Sequence, residues 1–135
     1  VSGSFQKTEV GIRTLSAAGI PVQVTTVVHK KNIKELEEIC NQMLKWKVAS
    51  WRVINLEPIG RALEHKELLL SLDEIEYLLN FVREKRFDVN VPMDVRFGCS
   101  HYLSFDYEHE VRDNYFICGS GIYVGSILWN GDIYL

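Results

Sequence analysis

The side chains best suited to chemistry are three cysteines, Cys40, Cys99 and Cys118, and four histidines. An odd thiol count without the spacing of a secreted disulfide framework points to a reducing compartment, by default the cytoplasm, in which thiols serve as ligands or as core residues. Cys40 falls on the apolar face of a predicted helix and reads as core. Cys118 sits in F-I-C-G-S-G, a turn-prone stretch ahead of two β-rich runs joined by Asn130-Gly131. A small buried residue under a hairpin and a ligand are both open to it. Cys99 stands in F-G-C-S-H-Y, two residues before His101. His29, His65, His101 and His109 show no helical metal-site spacing, so a zinc site is not favoured.

A strand supplies the next candidates. In PVQVTTVV, a β-branched run opened by Pro21, little exposed surface is expected, and Gln23 and Thr25 share one face by period two. A buried amide in such a strand requires hydrogen-bond partners, whereas a threonine simply suits a strand.

The elements that must hold these residues alternate. Val10, Ile12, Leu15 and Ala18 predict a helix over 6–18, stopped at Gly19. After the strand at 21–28, Asn32 and Glu35 resemble a capping pair. The helix that follows carries Ile33, Leu36, Ile39, Cys40, Met43 and Leu44 on one face. Residues 50–56 predict a second strand, and 57–70 a loop. Ser71 and Glu74 make a capping box for a helix over 72–87, with Leu72, Ile75, Leu78, Leu79 and Val82 as its apolar stripe. A third strand is expected over 88–95, bent or at an edge where Pro92 falls.

Alternation with short connections predicts an α/β layer over 1–96, built on a parallel sheet with crossover helices. Residues 97–135 form an irregular, hairpin-bearing segment: no periodicity is evident over 97–121, and Asn130-Gly131 is a strong hairpin turn. Three parallel strands cannot close a barrel, which takes about eight. The expectation is therefore a portion of a larger sheet. With 47% hydrophobic residues, a net charge of -3 and both signs interspersed, nothing suggests nucleic-acid or membrane binding. No signal peptide or membrane-length apolar run is present in these residues.

A set of ordered phrases resembles one family. Cys118, Gly119, Gly121, Ile127, Gly131, Asp132, Ile133 and Tyr134 match the opening of the SPASM domain, "C-G-x-G … I … G-D-I-Y-x-C". That domain is the auxiliary iron–sulfur module of radical S-adenosylmethionine enzymes. Upstream, GSF, AGIPV, the Asn32 position, RVINLEPIGRA and their order are similar to the mid-barrel segment of the PqqE-like and haem-biosynthesis-like maturases.

The resemblance implies a partial (β/α) radical SAM barrel over 1–96, then a linker and the start of a SPASM domain over 97–135. It implies [4Fe–4S] clusters and S-adenosylmethionine as cofactors, a peptide or small-molecule precursor as substrate, and a reductant protein as partner. Cys118 becomes an auxiliary-cluster ligand, since a tight hairpin brings ligands from both flanks toward one cluster. The next ligand would follow Leu135. Cys99 becomes a further ligand or a catalytic acid. Gln23 and Thr25 face the barrel interior, and Leu56 or Glu57 lies against the adenine, although Glu57 departs from the apolar residue common there. Arg61, in the G-R-A turn, faces a substrate carboxylate or caps its loop.

The three-cysteine loop that binds the S-adenosylmethionine-cleaving cluster is not among these residues, so the chain is expected to be a piece of a parent enzyme and inactive alone. Two other readings stand beside this one. A truncated, non-catalytic homologue would hold a peptide or partner, for instance by adding a strand to the sheet edge. A free-standing doubly wound protein is disfavoured because no glycine-rich phosphate loop follows any strand.

Overall fold

A computed structural model describes residues 3–98, 103, 105–113, 125–128 and 130–134. Its first helix, α1 (Ser4–Ala17), ends as the sequence predicts. Gly19 takes φ 74°, Gly19 N–H donates to Ser16 O and Ile20 N–H to Leu15 O, both at 3.1 Å. A left-handed residue closing the last turn in this way favours glycine. The packing of α1 is lighter than its pattern suggests: Ile12 is buried, while Val10 and Leu15 are 64% and 43% exposed.

Strands β1 (Gln23–Val28), β2 (Ser50–Asn55) and β3 (Asp94–Phe97) form one parallel sheet in that order. Helices α2 (Leu36–Lys45) and α3 (Leu72–Phe87) lie in the β1–β2 and β2–β3 connections. The fold is thus the α/β arrangement with crossover helices that the alternation predicts. The core joins Leu36, Cys40 and Met43 of α2 and Leu78, Phe81 and Val82 of α3 to Val28, Trp51, Val53, Val95 and Phe97 of the sheet.

Several local expectations are corrected. Asn32 does not cap a helix: its Oδ1 accepts from His29 N–H at 2.8 Å and its Nδ2 donates to Val27 O at 3.0 Å. It ties off the end of β1, and a 3-10 turn (Ile33–Glu35) leads into α2. The third strand starts at Asp94, because Asp88 folds back on Asn90 in a side-chain-stabilised turn, with Asn90 N–H donating to Asp88 Oδ1 at 2.8 Å. Within the stretch read as aperiodic lies a short helix, α4 (Phe105–Val111). The loop 57–70 contains two 3-10 turns, Gly60–Glu64 and Lys66–Leu68.

The capping box is present as read. Glu74 N–H donates to Ser71 Oγ at 3.3 Å, and Ser71 N–H donates to Glu74 Oε2 at 2.7 Å. That backbone hydrogen bond holds the Glu74 carboxyl below its usual range. Ser71→Ala is expected to cost about 1 kcal/mol, read as faster amide exchange in the first turn of α3. Unchanged exchange there would sink the expectation.

The hairpin is also found. Strands β4 (Ser126–Ile127) and β5 (Ile133–Tyr134) pair antiparallel. Gly131 at φ 89° makes the turn, and its N–H donates to Leu128 O at 2.9 Å.

Candidate functional site

The two faces of the parallel sheet differ sharply. Register pairs Val24 with Trp51 and Val95, and Thr26 with Val53 and Phe97. Laterally paired residues share a face, and this is the one the helices cover. The other face carries a row of Gln23, Ser50 and Asp94, then one of Thr25, Arg52 and Arg96, then Val27 and Ile54. Among the described residues no helix closes over it. Gln23, Thr25 and Val27 are exposed there, and Ser50, Arg52, Ile54, Asp94 and Arg96 are half-buried.

This corrects the reading of β1 as a strand with little exposed surface. It also removes the premise that Gln23 is a buried amide in need of partners: at the edge of a sheet, on its open face, the amide is solvated. Gln23 and Thr25 do share one face, as period two requires.

Charge on the open face is organised by two aspartates. Ser50 Oγ donates to Asp94 Oδ2 at 3.1 Å, Arg96 pairs with Asp94, and Arg96 NH1 lies 3.2 Å from Asp113 Oδ2. Arg86, from the last turn of α3, bridges Asp94 and Asp113 and donates to Val95 O at 3.0 Å. The Arg86 guanidinium, then burial and the charges of Arg86 and Arg96, set the Asp113 carboxyl, and the net effect is a lowered pKa. Hydrogen bonding to Asp94 raises the Arg96 pKa. None of Arg52, Asp94 and Arg96 was singled out from sequence. Their period-two spacing within D-V-R-F and S-W-R-V was the available signal, but it becomes informative only once the strands are paired.

Sites in parallel sheets gather at the strands' carboxyl ends. Here β1 is followed by His29 and β2 by Leu56 and Glu57. Leu56 N–H donates to Val28 O at 2.9 Å, which holds this turn against β1. Glu57 Oε1 accepts from Asn55 Nδ2 at 2.8 Å, so the carboxylate is drawn back onto the strand end. Leu56 and Glu57 are half-buried. After β3 comes Gly98, whose N–H donates to Val53 O at 2.5 Å. A Cβ built there would collide with Ile54 Cγ2 and stand 2.9 Å from Arg52 Nε. Glycine therefore lets the side chains of Ile54 and Arg52 lie across this end of β3. Arg61 is exposed on the first 3-10 turn after β2.

Cys40 is core, as read, and burial pushes its thiol pKa up, which makes it a poor nucleophile and ligand. Cys99, His101 and Cys118 lie outside the described residues. Among the described residues no group of three or more His, Cys, Asp or Glu is placed to hold a metal ion. No helix among them is long and apolar enough to cross a membrane.

Comparison with known proteins gives this geometry a context. No family model matches the chain. The chain is similar to AdoMet-dependent heme synthases. It is 28% identical over 103 residues to the one from Oleidesulfovibrio alaskensis, and 29% identical over 103 residues to the one from Nitratidesulfovibrio vulgaris. Each alignment covers 76% of the chain. A third, from Methanosarcina barkeri, is 28% identical over 91 residues, or 67% of the chain. The matched segment makes up 26%, 28% and 26% of these proteins, so the chain spans about a quarter of the length of the curated relatives it matches. Their shared name supports a relationship to radical S-adenosylmethionine enzymes.

Proposed function

We propose that this chain is part of a radical S-adenosylmethionine enzyme, supplying consecutive strands of its barrel over 1–96 and the beginning of a SPASM-type auxiliary-cluster domain over 97–135. One observation carries the reading: a parallel sheet that, among the described residues, is covered by helices on one face only, its open face largely polar, in a chain similar to AdoMet-dependent heme synthases. In a barrel the covered face packs outward against helices and the open one looks inward, toward the reaction.

The residues at hand suit the cofactor. Gln23, Thr25 and Arg52 offer donors on the open face, and Leu56 and Glu57 follow β2 at its carboxyl end, which together suit a molecule carrying an amine, a carboxylate and a nucleoside. On this reading Gln23 and Thr25 face the interior, Leu56 or Glu57 lies against the adenine, Cys118 binds an auxiliary [4Fe–4S] cluster, and Cys99 is a ligand or an acid. When bound, S-adenosylmethionine and a reduced [4Fe–4S] cluster supply radical chemistry at the substrate, a peptide or a small cofactor precursor. A reductant protein delivers the electron, and the setting is cytoplasmic. The chain's own part is to position: the tie from Leu56 N–H to Val28 O and the Asn55–Glu57 hydrogen bond fix the rim of the site.

The test is direct. The full-length protein containing this sequence is purified without oxygen, reconstituted with iron and sulfide, reduced, and given S-adenosylmethionine. Formation of 5′-deoxyadenosine, dependent on reductant, is expected, and Cys118→Ala should bind less iron. Neither iron–sulfur absorbance nor 5′-deoxyadenosine in the wild type would overturn the reading. The same protein retaining a peptide while forming neither would favour a non-catalytic binding module.

A further inference from the structure

The half-buried arginine on β2 has so far been only one of several donors on the open face. Three arginines meet two aspartates on this side of the sheet. Arg86 and Arg96 share Asp94 and Asp113 between them, which leaves two cations set against two anions. Arg52 is the surplus. Among the described residues its guanidinium has neither an ion pair nor a hydrogen bond, although the side chain is half-buried at the centre of the sheet. Burying a cation without compensation is costly, and proteins ordinarily pair such a group or hydrate it.

Its direction is as informative as its lack of a partner. Arg52 pairs in register with Arg96, yet its Nε would stand 2.9 Å from a Cβ on Gly98, two residues further along β3. The side chain therefore runs toward the carboxyl rim of the sheet, and the missing Cβ of Gly98 makes the passage. Ile54, in the next row, leans against the same glycine and forms an apolar wall beside the guanidinium. Thr25 of β1 occupies the same row of the open face as Arg52. A planar fork of donors beside an apolar wall, with no anion of its own among the described residues, matches a planar oxyanion.

We propose that Arg52, with Gly98 clearing its path, is a receptor for a carboxylate of the bound small molecule. The site stands on the geometry of the sheet, while the identity of its ligand rests on the proposed function. Two molecules in that reading carry such a group, the aminoacyl end of S-adenosylmethionine and a carboxylated substrate, and the experiment separates them.

Benzoate is titrated calorimetrically into the full-length protein before any cofactor is added. The wild type should bind it, and Arg52→Gln should bind at least about tenfold more weakly, the difference between a charged bidentate donor and a neutral amide. Arg52→Lys should restore only part of the affinity, because an ammonium lacks the planar fork. In parallel, phenylglyoxal labelling of the wild type, read by peptide mass, should be suppressed by benzoate at Arg52; this needs no variant to fold. S-adenosylmethionine and its decarboxylated analogue are then compared. If Arg52→Gln weakens the first and not the second, the carboxylate is that of S-adenosylmethionine. If it weakens neither while benzoate binding is lost, the carboxylate belongs to the substrate. Equal benzoate affinity in wild type and Arg52→Gln, or labelling of Arg52 indifferent to benzoate, overturns the proposal. Benzoate binding through Arg52 in a protein that forms no 5′-deoxyadenosine would keep the site and remove the radical reading, and the converse result would do the opposite.

Discussion

Trp51→Ala is expected to lose roughly 3–5 kcal/mol of folding stability. The indole is fully buried, in register between Val24 of β1 and Val95 of β3, so it is the centre of the layer between sheet and helices. Its ring meets Phe81 of α3 edge-on, with centroids 6.2 Å apart and planes at 84°. Its Nε1 donates to Thr26 Oγ1 at 2.9 Å, which satisfies a hydroxyl on the covered face of β1. Truncation to alanine removes all three at once: apolar area, the aromatic contact and the donor. Loss of several kcal/mol is a large share of the total stability of an ordinary domain, about 5–15 kcal/mol. Trp51→Phe separates the terms. It keeps most of the buried area and the contact with Phe81 but leaves the Thr26 hydroxyl without its donor, a loss of about 1 kcal/mol. Urea titration followed by amide exchange in β2 reads both. If alanine and phenylalanine give the same shift, the sheet–helix layer is not organised around this ring.

Trp51 also shows how far sequence reaches. The S-W-R-V-I-N run announces a strand, and its parallel neighbours follow from alternation with helices. The row that makes Trp51 central needs Val24 and Val95, residues 27 and 44 positions away, whose register is a property of the folded sheet. The same limit hid Arg52. A lone arginine in a strand says nothing, and it becomes informative only when Arg86, Arg96, Asp94 and Asp113 are seen to neutralise one another without it. In β1 the misreading had a different cause. Val24, Thr26 and Val28 alternate with Gln23, Thr25 and Val27, and both sets contain β-branched residues, so composition cannot say which face the helices take. Where a signal is local, as in the Ser71–Glu74 box, Gly19 after α1 or Asn130-Gly131 in the hairpin, it was readable. At 88–93, Val89 and Val91 imitate a strand, but the Asp88–Asn90 turn competes for the same backbone and wins.

Helix α4 was invisible for a reason that leads to a second expectation. In F-D-Y-E-H-E-V an amphipathic reading places acids outside, yet Glu108 is fully buried. Its Oε1 accepts from Arg112 NH2 at 2.7 Å and from Leu103 N–H at 2.9 Å. The Arg112 side chain is itself 8% exposed. This pair, beside the fully buried Val111, fixes α4 where it packs on α3 and the β3 edge. Arg112→Met should therefore cost about 3–5 kcal/mol, because it takes the Arg112 guanidinium away from a buried carboxylate. Adding Glu108→Leu to that variant should recover most of the loss, since replacing both charges with apolar groups removes the desolvation penalty along with the attraction. Recovery falls short by about 1 kcal/mol, the worth of the acceptor lost to Leu103 N–H. Amide exchange in α4 and at Val95 of β3 measures the cycle. If the double variant is no more stable than Arg112→Met, the pair does not act as a buried charge couple that fixes α4.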